Sequence, residues 1–176
     1  MMKRIFSFII LLSYLSITSC NGQSEHEKYD PNGIHWMSFE QAVALNDKAP
    51  KKIFIDTYTQ WCGWCKRMDA STFKDTAVVR YMNDHYYAVK LDAETKDTIR
   101  FKGKEFVYKS EYKSNELALS LLQGKMSYPS FIFMDEQYQL LTPLPGYQTP
   151  EQLIPILKYF GEDIYKTKKW EEYVGK

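Results

Sequence analysis

The chain has 176 residues, of which 44% are hydrophobic and 16% aromatic, and this composition supplies a core for one globular domain and excludes a largely disordered chain. Its 23 basic and 22 acidic residues give a formal net charge of +1. That balance excludes the clustered positive surface typical of nucleic-acid-binding proteins, so we predict no nucleic-acid partner. The basic run at residues 166–169 has acidic residues on both sides, and we interpret it as a solvated helix face.

The N-terminal segment has the pattern of an export signal. Two basic residues precede an apolar stretch at residues 5–17, which has the length of a signal-peptide core and is too short for a membrane-spanning helix. Small residues then lead into Cys20, and this junction resembles the lipobox of bacterial lipoproteins, in which the cysteine carries lipid. An ordinary cleaved signal and an uncleaved anchor are the alternatives, and each version exports the chain.

The domain boundaries follow from this reading. We predict a signal peptide with a lipobox at residues 1–20, a polar tether at residues 21–33 and one domain at residues 34–176. Lipidation at Cys20 would anchor the exported protein to a membrane of the bacterial cell envelope, with the domain in the periplasm.

The first elements of the domain are a helix and a buried strand. Ser38 and Gln41 have the spacing of a capping box, so a helix is expected to begin at Ser38 and to continue to about residue 48. The apolar run at residues 53–58 has the pattern of a buried strand. Asp56 is the exception in this run, because it places a carboxylate where the strand should be buried.

The rest of the chain alternates between helices and strands, with a polar insert at about residues 92–113. The pattern predicts a helix at 65–85 bent near Ser71, a strand at 86–91, a hairpin at 99–108, a helix at 114–123 capped by Ser114, strands at 130–134 and 139–144, a helix opened by Thr149 and Pro150, an amphipathic piece at 162–173, and a short strand in front at 34–36. Parallel pairs linked by helices come first and a hairpin comes last. This order predicts an α/β fold with a mixed central sheet flanked by helices.

The cysteines favour a redox pair. If Cys20 carries lipid, only Cys62 and Cys65 remain, and cysteines this close cannot link distant parts of a fold. They follow a buried strand and open a helix, where unpaired N–H groups and the helix dipole stabilise an anion. We therefore expect Cys62 to be exposed with a lowered pKa, so that its thiolate attacks a disulfide and Cys65 resolves the mixed disulfide. A zinc site is the other use of such a pair, but the sequence has no second pair and its three histidines are scattered.

The segment Trp61-Cys62-Gly63-Trp64-Cys65-Lys66 resembles the active-site motif of the thioredoxin family, in particular that of exported bacterial thioredoxin-like proteins. Further matches follow the family's order: a buried carboxylate at Asp56, a nearby lysine at Lys90, a cis-proline at Pro129 and a glycine beyond the last strand at Gly146. The resemblance covers residues 34–160 and implies a thioredoxin fold. The insert, placed before the cis-proline, has no counterpart in a minimal thioredoxin.

The resemblance implies a proton-transfer role for the buried carboxylate. Asp56, with a pKa raised by burial, takes the proton from Cys65 during resolution. Lys90 lies beside that carboxylate in the family. The alternative is that Asp56 is paired with Lys90 for structure alone.

It also implies a docking face for substrates. Pro129 packs against the cysteine pair in the cis form, which leaves the backbone of Tyr128 free to bind an extended substrate segment; a plain turn proline is the alternative. Trp61 and Trp64, with Gly63 between the cysteines, form an apolar rim for protein substrates, or serve only in packing.

These features predict a thiol–disulfide oxidoreductase that reduces protein disulfides in an exported compartment. The cysteines carry the electrons, so we predict no cofactor and no metal ion. The expected partners are protein disulfide or dithiol substrates and, for a reductant, a membrane electron donor. The alternatives are a reductant dedicated to one client such as apocytochrome c, a non-enzymatic binding module on the same fold, and a metal carrier. The dipeptide Gly63-Trp64 lacks the proline of cytoplasmic thioredoxins, so the sequence does not fix the direction of electron flow.

Overall fold

The computed structural model describes residues 32–175, so the predicted signal peptide, the lipidation site Cys20 and nearly all of the tether lie outside the described residues. The elements in chain order are β1 (Trp36–Met37), α1 (Phe39–Asn46), β2 (Lys52–Tyr58), α2 (Gly63–Ala70), α3 (Thr76–His85), β3 (Tyr86–Asp92), β4 (Ile99–Phe101), β5 (Lys104–Phe106), β6 (Tyr108–Lys109), β7 (Ser114–Asn115), α4 (Glu116–Leu121), β8 (Ser130–Met134), β9 (Leu140–Pro145), α5 (Pro150–Gly161) and α6 (Trp170–Val174). Among residues 32–175, no helix is both long and apolar enough to cross a bilayer.

A mixed sheet in the strand order β1-β3-β2-β8-β9 forms the centre of the fold. Strands β1, β2 and β3 are parallel to one another, whereas β8 and β9 are antiparallel to their neighbours. The predicted α/β class and mixed sheet are confirmed. The predicted front strand lies two residues later than expected, at Trp36–Met37.

Alternate residues of β2 enter two separate apolar cores. Ile53 and Ile55 pack with side chains of α1 and α4 on one face of the sheet. Phe54 packs on the opposite face with side chains of α2, α3 and α5. Because successive strand residues point to opposite faces, Asp56 shares the face of Phe54, which α2 covers. The sheet therefore directs this carboxylate towards the helix that carries the cysteines.

The helix predicted at residues 65–85 is wrong as a single bent element. It is divided into α2, a short 3-10 helix at Thr72–Lys74, and α3. The backbone leaves the helical region at Ser71, whose hydroxyl donates to the carbonyl of Arg67 at 2.6 Å. Asp75 then begins a new helix, because its carboxylate accepts from two N–H groups of the first turn of α3.

The insert folds as two short antiparallel ribbons, β4–β5 and β6–β7, and the predicted hairpin is confirmed. Its side chains Ile99 and Phe106 are buried in the core beside α1 and α4. The cap predicted at Ser114 is wrong. Asn115 caps α4 by accepting from the Leu117 N–H, while the Ser114 hydroxyl donates to the carbonyl of Ala93 at 2.8 Å. The helix predicted to open at Thr149 and Pro150 is confirmed as α5, with a capping box and Pro150 in its first turn.

Asn115 ties the insert to the domain, so its removal should be costly. Its fully buried side chain donates to the carbonyls of Asp97 and Phe106 and accepts from the Leu117 N–H. We expect Asn115→Ala to lower the free energy of unfolding by about 2–4 kcal/mol, since it removes a helix cap and leaves buried partners unpaired. Urea denaturation measures this, with Ser38→Ala as a matched control that removes an exposed cap and costs about 1 kcal/mol. Equal losses in the two variants would contradict the structural role of Asn115.

Candidate active site

The end of β2 and the start of α2 position the cysteine pair. Cys62 is the N-cap of α2, with extended backbone angles of −71° and 104°, and its N–H donates to the carbonyl of Thr59 at 3.1 Å. Cys62 and Cys65 form a disulfide, with 5.3 Å between their Cα atoms. The N–H of Cys65 donates to the sulfur of Cys62 at 3.0 Å, as expected for an electron-rich group at a helix N-terminus. Both sulfurs are therefore held at the first turn of α2.

The expected exposure of Cys62 is wrong for this oxidised pair, because the residue is only 4% exposed. Its sulfur is bonded to that of Cys65 in the first turn of the helix, and Cys65 is also buried. Gly63 is exposed between them, and a Cβ at this position would meet no atom within 4 Å. A side chain at position 63 would therefore extend into open space.

Asp56 and Lys90 form a buried ion pair. The parallel register of β2 and β3 places them side by side, and the Lys90 Nζ donates to Asp56 Oδ2 at 2.7 Å. Burial raises the pKa of Asp56 from its ordinary value of 3.8 to about 6, although the charge and hydrogen bond of Lys90 act in the opposite direction. Its other oxygen, Oδ1, has no hydrogen-bond partner among residues 32–175. The predicted contact between Asp56 and Lys90 is present, and burial acts on the pKa of Asp56 in the predicted direction, whereas the catalytic roles stay predictions.

The Lys90 ammonium also donates to Asp69 of α2, a residue that the sequence analysis missed. Asp69 lies four residues after Cys65, on the same side of the helix. This spacing, one turn beyond the resolving cysteine, is the signal that identifies it. Burial lowers the pKa of Lys90, but the charges and hydrogen bonds of the two aspartates outweigh that effect, so the net shift is upward.

Trp61 forms one side of an aromatic rim around the pair. It is 67% exposed, and its indole N–H donates to Glu94 Oε1 at 3.1 Å. Its ring stands edge-on to Tyr128, with 5.9 Å between ring centroids. Glu94 lies in the insert just beyond β3, so the insert fixes the orientation of a residue next to Cys62. Sequence pattern gave no signal for this contact.

Trp64 forms the other side of the rim and is 56% exposed. Its ring lies 5.5 Å from that of Tyr147, and the Arg67 guanidinium lies 5.5 Å from the Trp64 ring and 5.8 Å from the Tyr147 ring. An arginine beside two aromatic faces supports both by cation–π attraction. Sequence pattern gave no signal for the contacts of Arg67 and Tyr147.

The Tyr128–Pro129 peptide bond is cis, as predicted. It directly precedes Ser130, which pairs with Thr57 near the end of β2, so the bond lies level with the segment that leads to Cys62. The Pro129 carbonyl accepts from the Gly146 N–H at 2.8 Å, whereas the backbone N–H and C=O of Tyr128 have no partner among residues 32–175. The structure thus brings every predicted site residue except Cys20, which it does not describe, to one end of the sheet.

The site offers two thiols as its redox groups. Within residues 32–175, no three His, Cys, Asp or Glu side chains come together in an arrangement that could hold a metal ion. His35 and His85 lie apart from the cysteines, on the chain before β1 and at the end of α3. What the arrangement can supply is a disulfide at a helix N-terminus with a buried carboxylate behind it.

The raised pKa of Asp56 predicts that replacing this carboxyl group changes the free energy of unfolding in a pH-dependent way. The folded state binds the Asp56 proton more tightly than the unfolded state, so the free energy of unfolding falls by about 3 kcal/mol as pH rises from below 4 to above 6. Asp56→Asn removes this loss. We expect the oxidised variant to gain about 2 kcal/mol relative to wild type between pH 4 and pH 8, measured by urea denaturation at both values, because part of the loss has already occurred at pH 4. A difference between the two proteins that is the same at pH 4 and pH 8 would contradict the raised pKa.

Comparison with known proteins agrees with this geometry. Residues 24–142 match the family model Thioredox_DsbH, which is described as a protein of unknown function, DUF255. An uncharacterized protein of Caenorhabditis elegans, B0495.5, is 29% identical over 69 residues, which span 39% of this chain and 10% of that protein.

Among solved structures, a protein from Bacteroides thetaiotaomicron has been named provisionally as a disulphide isomerase. It is 27% identical, with a TM-score of 0.53 over 78% of this chain and 98% of that chain. A protein described as DsbH oxidoreductase matches 80% of this chain and 94% of its own at a TM-score of 0.54 and 14% identity. A thioredoxin from Thermus thermophilus is 14% identical, with a TM-score of 0.55 over 82% of this chain and 94% of that chain. These matches confirm the predicted thioredoxin fold. Since the family match covers more than half of the chain and contains both cysteines, the protein belongs to the DsbH-like DUF255 family, with a thioredoxin fold.

Proposed function

We propose that this protein is a thiol–disulfide oxidoreductase that reduces protein disulfides through Cys62 and Cys65. The observation that carries this proposal is the disulfide at the N-terminus of α2. A helix N-terminus stabilises a thiolate, which is the form of cysteine that attacks disulfides. The 27% identity to the Bacteroides protein, whose name refers to disulfide chemistry, supports the same reaction class.

The reaction transfers two electrons in two steps. The Cys62 thiolate attacks one sulfur of a substrate disulfide, forms a mixed disulfide and releases the other substrate sulfur as a thiolate. Cys65 then gives up its proton and attacks Cys62, which forms the Cys62–Cys65 disulfide and releases the second substrate thiolate. The substrate is reduced to a dithiol, and the protein is oxidised to the state seen in the structure.

Asp56 is the base that accepts the Cys65 proton in this mechanism. Its pKa of about 6 places it close to neutral pH, where it is mostly ionised and still a stronger base than an ordinary aspartate. Its face of the sheet is covered by α2, and Lys90 links it to the same side of that helix through Asp69. Lys90 holds the carboxylate in place and limits the energy of burying its charge.

The aromatic rim and the Tyr128 backbone form the docking face. The exposed rings of Trp61 and Trp64 flank the pair, and each has a tyrosine beside it. An extended substrate segment beside Tyr128 would find an N–H and a C=O without partners in the described residues. Such contacts are independent of substrate sequence, which suits a reductant of several protein disulfides.

The compartment and the electron source complete the proposal. The basic and apolar leader and the residues before Cys20 support export with a lipid anchor at Cys20, a tether at residues 21–33 and a domain at residues 34–176. A reductant in the bacterial envelope needs electrons that cross the membrane, so a membrane protein with a dithiol donor is the expected partner. These assignments rest on the sequence pattern.

Cysteine variants test the reaction directly. We expect the wild type to accelerate reduction of insulin by dithiothreitol and Cys62→Ser to lose this turnover. Reduced Cys65→Ser, freed of dithiothreitol and then mixed with insulin, should accumulate a mixed disulfide, because no second thiol of the protein resolves it. Turbidity measures turnover, and non-reducing electrophoresis with mass spectrometry detects the trapped species. Cys20→Ser is the matched control, since it removes a cysteine outside the pair and should keep full turnover. Turnover that survives in Cys62→Ser, or a wild type no faster than dithiothreitol alone, would contradict the enzyme and favour a binding module on this fold.

A further inference from the structure

The Lys90 ammonium is enclosed by groups from several elements. It donates to Asp56 on β2 and to Asp69 on α2, and the side chain of Lys90 is only 12% exposed. The rings of Trp36, Tyr58 and Phe73 lie 5.0, 5.1 and 5.4 Å from its nitrogen. An ammonium has three N–H groups and no other donors. With two of them on carboxylates and aromatic faces around it, Lys90 has little freedom to compensate if one partner is lost.

The two carboxylates that share this ammonium differ in their access to water. The Asp69 side chain is 46% exposed, so water stabilises its negative charge. The Asp56 side chain is 1% exposed, and its Oδ1 has no partner in the described part of the chain. Asp56 therefore depends on Lys90 for its ionised form, whereas Asp69 does not. The negative charge of Asp69 partly offsets the positive charge of Lys90, so the ionised form of Asp56 is less well stabilised than it would be with Lys90 alone.

We propose that Asp69 is a positioning residue that keeps Asp56 a strong base by sharing the Lys90 ammonium. This inference rests on the proposed function, in which Asp56 accepts the Cys65 proton. In that step the Cys65 S–H bond breaks, its proton passes to an Asp56 oxygen, and the resulting thiolate attacks Cys62 as the substrate thiolate leaves. With Asp69 charged, the protonated Asp56 cluster is neutral overall, and the ionised one carries a net charge of −1. Loss of the Asp69 charge makes the ionised cluster neutral and weakens Asp56 as a base.

Few other groups act on Asp56. Within residues 32–175, Lys90 of β3 and Asp69 of α2 are the charged groups that influence it, and the Asp69 charge favours protonation of Asp56. Cys65 of α2 is the proton donor of the mechanism, and Tyr58 of β2 contributes its ring face to the ammonium. The neutral rings of β1 and of the 3-10 helix complete the enclosure. A substitution at Asp69 is therefore expected to change the pKa of Asp56 mainly through Lys90.

Three variants test this sharing. Asp69→Asn removes the charge at an exposed site, Asp69→Glu keeps it, and Asp84→Asn removes an equal charge from the exposed surface of α3 as a matched control. The first measurement is the midpoint of the Asp56 carboxyl ¹³C titration in the purified oxidised protein. We expect Asp69→Asn to lower this midpoint by about one pH unit, Asp69→Glu to restore it and Asp84→Asn to leave it unchanged.

The second measurement is insulin turnover at pH 7. A base weakened by one unit should slow the proton-transfer step about threefold in Asp69→Asn, while Asp84→Asn keeps the wild-type rate. A midpoint in Asp69→Asn that coincides with the wild-type midpoint would overturn the sharing of Lys90. A lowered midpoint with unchanged turnover would overturn its link to catalysis. If the wild type reduces no disulfide, the proposed function fails by itself, and the titration still decides whether Asp69 controls Asp56.

Discussion

The parallel register between β2 and β3 sets a carboxylate and an ammonium next to each other inside the molecule, Asp56 opposite Lys90. Two charges removed from water must neutralise each other, so the strands cannot slip by a residue without leaving one of them buried alone. The pair still makes a poor contribution to stability, because burial raises the pKa of Asp56 above its ordinary value. A group that the fold holds at a loss of stability is a candidate for a chemical role, and it lies on the face of the sheet that α2 covers.

The cysteine pair and the ion pair are parts of one arrangement. Strand β2 carries Asp56 and leads into the turn that ends at Cys62, while α2 carries Cys65 and, one turn later, Asp69. In the proposed reaction, electrons pass to the substrate at the N-terminus of α2, and the base proposed for the Cys65 proton lies on the sheet face that α2 covers. The insert adds to the outer side of this arrangement, since its Glu94 holds the indole of Trp61. Substrate contact and thiol chemistry are thus supported by different layers of the same domain.

Much of this could be predicted from local signals. The capping box at Ser38, the helix start at Thr149 and Pro150, the apolar strands and the position of Asp56 in one of them depend on neighbours in sequence, and the structure agrees with them. The predictions that were wrong depend on competition between neighbouring groups. Ser114 and Asn115 are both suitable caps, and the tertiary contact of Ser114 with Ala93 decides between them. The break at Ser71 likewise needs Asp75 to begin a new helix.

The contacts that could not be predicted join distant parts of the chain. Glu94 meets Trp61 only because the turn after β3 lies against the end of β2, where the Ala93 N–H donates to the Tyr58 carbonyl at 2.8 Å. Tyr147 meets Trp64 only because the segment after β9 passes beside α2. The burial of Cys62 in the disulfide-bonded state is likewise a property of the folded domain. Spacing along the sequence carries none of this information, whereas the one-turn spacing of Asp69 from Cys65 does.

The most direct test of a reducing Cys62–Cys65 centre is its reduction potential, obtained by equilibrating the purified protein with glutathione or dithiothreitol buffers and counting free thiols. We expect a reversible two-electron transition near the potential of thioredoxin, about −270 mV, which requires a stronger reductant as electron donor. A potential near that of a strong oxidant, about −120 mV, would contradict the reducing direction. Two thiols that form no reversible disulfide would contradict the oxidoreductase itself.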